Sequence, residues 1–485
     1  MVPGDRNDRE CSKRRIREGS STVAEPAGGP SRSSAETPVI GGGAKGTAHL
    51  WKVPASNRPV AGRSPVSQPR LKEKPFAISK QAVWEAFRKV KANQGAPGVD
   101  GQTIEEFEAG LRNNLYRVWN RMSSGSYFPP PVRAVDIAKP HGGGVRRLGV
   151  PTVADRVAQT VVAMELEKAV EPKFHPSSYG YRPGRSPLDA VEACRRRCFT
   201  HPWVVDLDIE KFFDSVPWDL IVKAVEANTD QKWVRLYVQR WLAAPVQLPD
   251  GTLAQRDRGT PQGSPISPLL TNLFMHYAFD TWMAREFPTV PFERFCDDGV
   301  VHCVSERQAR YLRERIADRL GELGLRLHPE KTRIVFCEQA GRAGSAEHTS
   351  FTFLGYEFRK RAARARGGGL FNGFLPGVSP QAIKKMNRVV KGWQLHRWTE
   401  RTLNELAAWI NQTVPGWVRY YGRYYPSLLR PLLRRINAYI LRWARNKYRR
   451  LRSFKKALAW WNGIVRRDPT LFTHWQWMTN LWMTG

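Results

Sequence analysis

The sequence predicts an α+β protein, a mixed strand-and-helix region followed by an all-helical one. Between residues 135 and 375, short β-type runs such as "AVDIA" and "VVDLDI" alternate with helical periodicities such as "DRVAQTVVAMELEKAV" and "ARYLRERIADRLGELG". After Pro380 only helical patterns remain, laden with Lys, Arg and Trp, as in "QAIKKMNRVVKGWQLH" and "SLLRPLLRRINAYILRWARNKYRRL". A third observation, charge, concerns the partner. Lys+Arg 77 against Asp+Glu 44 leaves +33 over 485 residues. Such an excess fits a polyanion. Nucleic acid is favoured over an acidic membrane, because the sequence has no signal-peptide core and no apolar run near the roughly 20 residues of a membrane span.

Taken in order, residues 1–70 are rich in Gly, Ser, Pro, Arg and Ala without sustained periodicity and read as a disordered basic tail. Order begins near "KPFAISKQAVWEAFRKVKANQG", where Ser79 can cap a helix whose Val83, Phe87 and Val90 recur at helical spacing. A loop punctuated by Gly95, Pro97, Gly98 and Gly101 precedes "TIEEFEAGLRNNLYRVW", which reads as a second helix. Further on, "FERFCDDGVVHCV" reads as a hairpin whose apolar arms meet at Asp297, Asp298 and Gly299. The six cysteines make no CxxC pair and are too sparse for a disulfide scaffold, which fits a reducing compartment. Cys194 and Cys198, four apart in "CRRRC", fall on one helical face and read as packing.

A hairpin aspartate pair gains chemical meaning when another strand supplies a third carboxylate. "WVVDLDIEKFFDSV" is that strand: Asp206 and Asp208 lie in phase, and Asp208 stands where the strand enters a turn. Two divalent ions need several hard oxygen ligands to activate a 3′-hydroxyl and stabilise leaving pyrophosphate. A cap and a solvated turn explain each aspartate singly. They explain the set poorly.

Asp208 with "IEKFF", then "GTPQGSPISPLLTNLF" (259–274), then "FCDD" (295–298) resemble the successive palm motifs of a reverse transcriptase. The resemblance extends through "SSYGYRPGRSPLDAV" (177–191), "LRLHPEKTRIV" (325–335), "FTFLGYEF" (351–358) and "VPGWVRYYG" (414–422). Together these resemble the reverse transcriptase–maturase encoded by bacterial group II introns. That family implies a right-hand polymerase with fingers, palm and an α-helical thumb, the maturase domain. The implied division is an N-terminal extension at 71–134, reverse transcriptase fingers and palm at 135–375, thumb at 376–455, and a short C-terminal segment at 456–485 that packs on the thumb or touches DNA.

The resemblance makes Asp208 and Asp297 the principal Mg²⁺ ligands, with Asp298 in support, for two ions that Mn²⁺ can replace. It places Phe213 at a steric gate against the nucleotide 2′-hydroxyl. Gln262 falls in a nucleotide-binding turn, and Lys139 and Arg146 flank a fingertip hairpin that clamps the triphosphate, with Arg147 as the alternative to Arg146. Lys331 resembles a basic residue assigned to protonating pyrophosphate. The hairpin departs from the family's usual Tyr-Ala-Asp-Asp, because Phe295 and Cys296 precede the pair. In the basic end, Arg434, Arg435 and Arg442 are expected to face RNA, while Trp409, Trp417 and Trp443 are expected to pack.

The implied partners are group II intron RNA, primer and target DNA, and dNTPs, with no membrane and with a second copy of the chain as a further candidate. The setting is the bacterial cytoplasm beside nucleoid DNA. Two alternatives stand beside this reading: a splicing-only maturase, and a domesticated relative in a defence system. No cysteine follows Cys337 and "HWQWMTNLWMTG" offers a single His474, so no HNH nuclease, and no second-strand cleavage, is expected.

Overall fold

A computed structural model describes residues 74–138, 144–342, 344–364 and 367–479. The expected basic tail and Lys139 lie outside the described residues. The first helix, Lys80–Asn93, starts as expected: the Ser79 hydroxyl accepts from the Ala82 amide at 3.0 Å, and Val83, Phe87 and Val90 are buried. The expected second helix is two, Ile104–Ala109 and Leu111–Ser123. Gly110 separates them, and the Asn114 side chain takes up the Phe107 carbonyl freed there, at 2.9 Å. These helices pack on Val153–Val170, which is buried nearly all round at its N-terminal half.

Three sheets carry the middle of the chain. The fingers sheet pairs Val132–Ala138 with Val145–Val150, antiparallel, and extends through Val246–Gln247 and Leu253–Ala254. The palm sheet has four antiparallel strands in the order Phe292–Phe295, Asp298–Cys303, Trp203–Leu207, Arg333–Phe336. Its two faces bury different partners, as the period-two alternation of a strand requires. Trp203, Val205, Leu207, Val301, Cys303 and Phe336 join the main core with the fingers helices. Val204, Val300 and Val335 join a second core with the helix Pro187–Thr200 and the three-stranded sheet of residues 350–378.

After Ser379 the chain is helical, as expected: Pro380–Gly392, Leu403–Tyr421, Arg430–Lys447 and Phe454–Arg467. Their core runs on through Ala457, Trp461, Ile464, Phe472 and Trp475, so the segment from 456 packs on the thumb over its described part. Of the three tryptophans expected inside, Trp443 is fully buried and Trp417 stacks on Trp393 at 5.9 Å between ring centroids. Trp409 is instead exposed, lying edge-on to Trp398 at 5.4 Å. The tyrosines of "VRYYGRYY" turn towards the palm. Tyr420 donates to the Leu354 carbonyl at 2.8 Å, and Tyr424 to the Glu192 carboxylate at 2.7 Å.

Candidate active site

The aspartate-bearing end of the palm sheet is built by register. Phe295 pairs with Asp298, so the two turn residues are Cys296 and Asp297. The tip therefore lies one residue earlier than the sequence suggested: Asp298 opens the second strand and Gly299 sits in the ladder, opposite Arg294 and Leu207. The sequence reading joined the arms at Asp297, Asp298 and Gly299 with the aspartates at the tip, as the usual turn residues suggest. Here Cys296 adopts φ 61 instead, and its side chain is buried.

A buried guanidinium holds that turn. Arg294 Nη1 donates to the Cys296 carbonyl at 2.8 Å and to Asn272 Oδ1 at 3.0 Å. Its Nη2 donates to Ser178 Oγ at 2.8 Å, and Nε and Nη2 clasp the Asp280 carboxylate at 2.7 and 2.6 Å. Gly180 closes on the turn from the other side, where a Cβ would stand 2.6 Å from the Cys296 nitrogen. Sequence reasoning missed Ser178, Asn272, Asp280 and Arg294. The available signal was an arginine inside an apolar strand beside two aspartates.

Asp206 pairs with Val300, so alternation puts Asp206, Asp208 and Asp298 on one face, with Asp297 at the adjoining tip. Asp208 is braced by the "HPEKT" loop: its carbonyl accepts from His328 N at 2.8 Å and Thr332 Oγ1 at 3.2 Å. Lys331 Nζ lies 3.4 Å from Asp208 Oδ2. Burial raises Asp206 well above the carboxylate range, reinforced by Asp298 and Asp208. Burial chiefly raises Asp297, with Asp208 adding to it. Asp298 opens to water at the cleft, yet the protein around it, then Asp297 and Asp208, push it up to about 7 against the pull of Lys331. Carboxylates that resist ionising together are a donor set suited to a hard divalent cation, whose charge reverses that preference.

The nucleotide-side residues also meet. Arg146 donates from Nε to Gln262 Oε1, and the Gln262 carbonyl accepts from Gly149 N at 2.7 Å. Arg147 points elsewhere, bonded to Asp136 at 2.9 and 3.2 Å, which leaves Arg146 as the cation beside the Pro-Gln-Gly turn. Phe212 is buried in the core while Phe213 is half-buried, and the Phe213 carbonyl accepts from Thr260 N at 2.7 Å. On the thumb, Arg435 and Arg442 are exposed seven residues apart on Arg430–Lys447, and Arg434 is half-buried off that face.

Residues 137–358 match the family described as reverse transcriptase (RNA-dependent DNA polymerase), and residues 383–461 match the group II intron, maturase-specific domain. Protein YkfC of Escherichia coli is 29% identical over 321 residues, covering 58% of this chain and 81% of that protein. Group II intron-encoded protein LtrA of Lactococcus lactis subsp. cremoris is 30% identical over 203 residues, covering 41% of this chain and 33% of that protein. Nuclear intron maturase 1, mitochondrial, of Arabidopsis thaliana is 31% identical over 87 residues, 17% of this chain and 12% of that protein. The match thus spans most of YkfC, a third of LtrA and less of the plant protein.

The raised carboxylates set a pH dependence. A carboxyl whose folded pKa lies above its unfolded value stabilises the fold below about pH 4, and that stability drains as pH rises through the folded value, near 7 for Asp298. Mg²⁺-free protein should therefore melt at a lower temperature at pH 7.5 than at pH 5.5. The gap should narrow in Asp298→Asn, and added Mg²⁺ should raise the melting temperature more at pH 7.5. An equal gap in wild type and Asp298→Asn, followed by thermal denaturation, would mean these carboxyls are not strained by one another.

Proposed function

The chain belongs to the reverse transcriptase–maturase family of group II introns, and from that membership we propose an RNA-directed DNA polymerase that binds its intron RNA, assists splicing and copies the RNA into DNA. The observation that carries this reading is the convergence of Asp208, Asp297 and Asp298 at one end of the palm sheet, walled by Lys331 and Arg146. An intact carboxylate set supports a working polymerase over a splicing-only maturase. Asp208 and Asp297 hold two Mg²⁺ ions with Asp298 in support, and Mn²⁺ substitutes. Bound there, the ions supply Lewis acidity for in-line phosphoryl transfer.

The remaining roles fall to the chain's own groups. Arg146 neutralises the incoming triphosphate while Gln262, fixed by it and by Gly149, lets the backbone of the Pro-Gln-Gly turn approach the sugar. Phe213 limits the space beside that sugar: its backbone carbonyl is tied to Thr260, its side chain is half-buried, and Phe212 instead fills the core. Lys331 hands a proton to departing pyrophosphate from its place beside Asp208. No helix among the described residues is long and apolar enough to cross a membrane. Such an enzyme acts beside bacterial DNA, where intron RNA, primer and dNTPs meet.

Asp297→Ala removes a metal ligand that its neighbours cannot replace, so primer extension should fall by roughly two or more orders of magnitude. Splicing assistance by the same preparation should persist, since it needs the RNA-binding surface. Near-normal DNA synthesis by the variant would sink the assignment.

Phe213→Val should admit ribonucleotides, because exclusion of a 2′-hydroxyl by a ring is repulsive. Unchanged selectivity with intact dNTP incorporation would return Phe213 to the core and move the gate elsewhere.

Affinity for intron RNA should fall steeply with salt as Lys and Arg contacts release counterions. Replacing Arg435 and Arg442 with Gln should flatten the log–log slope, by about 0.7 for each lost contact to single-stranded RNA, with a smaller effect from Arg434. A slope untouched in the double variant would place the RNA on another face.

A further inference from the structure

The pair Cys194 and Cys198 lies under the palm, on the same sheet face as the catalytic carboxylates but at its far end. Pro187–Thr200 carries both thiols one helical turn apart and buries them against the palm. Across from them, His302 pairs with Val204 in the ladder, and Cys337 follows the last palm strand, its amide bonded to the Pro202 carbonyl at 2.8 Å. All four side chains are buried, and the cysteines are free thiols. The Cys198 thiol faces Cys194, Cys337 and His302 together. Ligand atoms of Cys194, His302 and Glu293 lie within 4.8 Å of one another.

The imidazole is oriented from behind. His302 Nε2 and Glu293 Oε2 are 2.5 Å apart, and Glu293 Oε1 accepts from Arg197 Nη1 at 2.5 Å. His302 Nδ1, fully buried, has no hydrogen-bond partner among the described residues. A carboxylate fixing one ring nitrogen while the other faces thiols is the arrangement that supports a histidine on a metal.

We propose that Cys194, Cys198, Cys337 and His302 form a Cys₃His site for a zinc ion, with Glu293 holding the imidazole. The C-x₃-C spacing on a helix and three thiolates with one imidazole are a soft donor set that favours zinc over the hard cations of the catalytic end. The site is separate from that end: His302 stands four residues along its strand from Asp298, roughly 13 Å at the usual rise. Closing it ties the helix after the "SYGYRP" loop to two palm strands, joining segments over 100 residues apart in sequence. Binding would expel the thiol protons, since thiolates rather than thiols ligate zinc.

The test is metal content of the full chain, purified under reducing conditions from zinc-supplemented cells and measured by inductively coupled plasma mass spectrometry. One zinc per chain is expected. Co²⁺ added to metal-stripped protein should give the intense near-ultraviolet charge-transfer band of cobalt thiolate. Cys198→Ser and Cys337→Ser should lose both signals, and Cys303→Ala, a buried cysteine on the opposite face, should keep them. Glu293→Gln should weaken zinc affinity about 10–100-fold. If a serine variant fails to fold, the wild-type Co²⁺ spectrum decides. Wild-type protein without zinc and without a cobalt–thiolate band would overturn the proposal. So would a disulfide among these cysteines in metal-free protein, which would make them a redox pair.

Discussion

Everything at the catalytic end hangs on one guanidinium. Arg294 is fully buried, and its five N–H donors find five acceptors: two on Asp280 and one each on Asn272, Ser178 and Cys296. Burying such an ion pair costs several kcal/mol per charge in desolvation, and only complete satisfaction of its donors offsets that. What the arrangement achieves is geometry. Asp280 closes a π-helical turn, His276–Asp280, between the helices Ser267–Met275 and Thr281–Glu286. Asn272 belongs to the helix that follows the "TPQGSP" turn, and Ser178 to the "SSYGYRP" loop. The continuous helical stretch 267–286 and the distant Ser178 loop are thus both fixed to the hairpin that carries Asp297. A lysine there would keep the charge but could not reach four residues at once.

The electrostatics have two signs, kept apart. The chain carries +33, yet its palm gathers Asp206, Asp208, Asp297 and Asp298 at the end of one sheet. Lys331, Arg146 and Arg333 pull against the raised carboxyls of that cluster. The thumb helices hold their cations outward over a core of Leu, Ile and Trp. The opposition of signs suits a chain whose proposed activity needs both a polyanion on the basic face and divalent ions at the carboxylates.

The order of short motifs was legible because each motif keeps a backbone device that its residue types announce. "HPEKT" loops back to brace Asp208, and Pro-Gln-Gly lets Gln262 and Gly149 touch. The hairpin was legible as a hairpin but misread by one residue, because Cys296 occupies positive φ only through tertiary support from Arg294 and Gly180. The break at Gly110 escaped a periodicity argument, since Leu115 and Val118 continue the apolar face on the far side. Trp409 shows the opposite failure. Its spacing fits the buried stripe, but Leu406 and Ile410 fill the core and leave it at the rim. Arg294 left one local signal, a charge inside an apolar strand, but its partner Asp280 left none, because pairing across a fold leaves no local pattern.

The tyrosines after Val418 explain why thumb and palm cannot be treated as separate modules. Among bases they would be stacking platforms, which is how aromatic-basic sequence reads. In the fold they are the joint. Tyr356, from the "FLGY" turn, is fully buried with Tyr420, Tyr421 and Tyr424 packed around its ring at 5.4 to 5.7 Å. Gly355, at φ 79, is needed there because a Cβ would stand 2.9 Å from the Tyr421 hydroxyl. Tyr424 reaches past them to Glu192, which Arg195 also holds at 2.7 Å, on the helix that buries the palm's second face. The thumb is thereby tied to the same layer that backs the aspartate-bearing strands. The motifs "FTFLGYEF" and "VPGWVRYYG" lie 56 residues apart and belong to different domains, yet they are two halves of one contact.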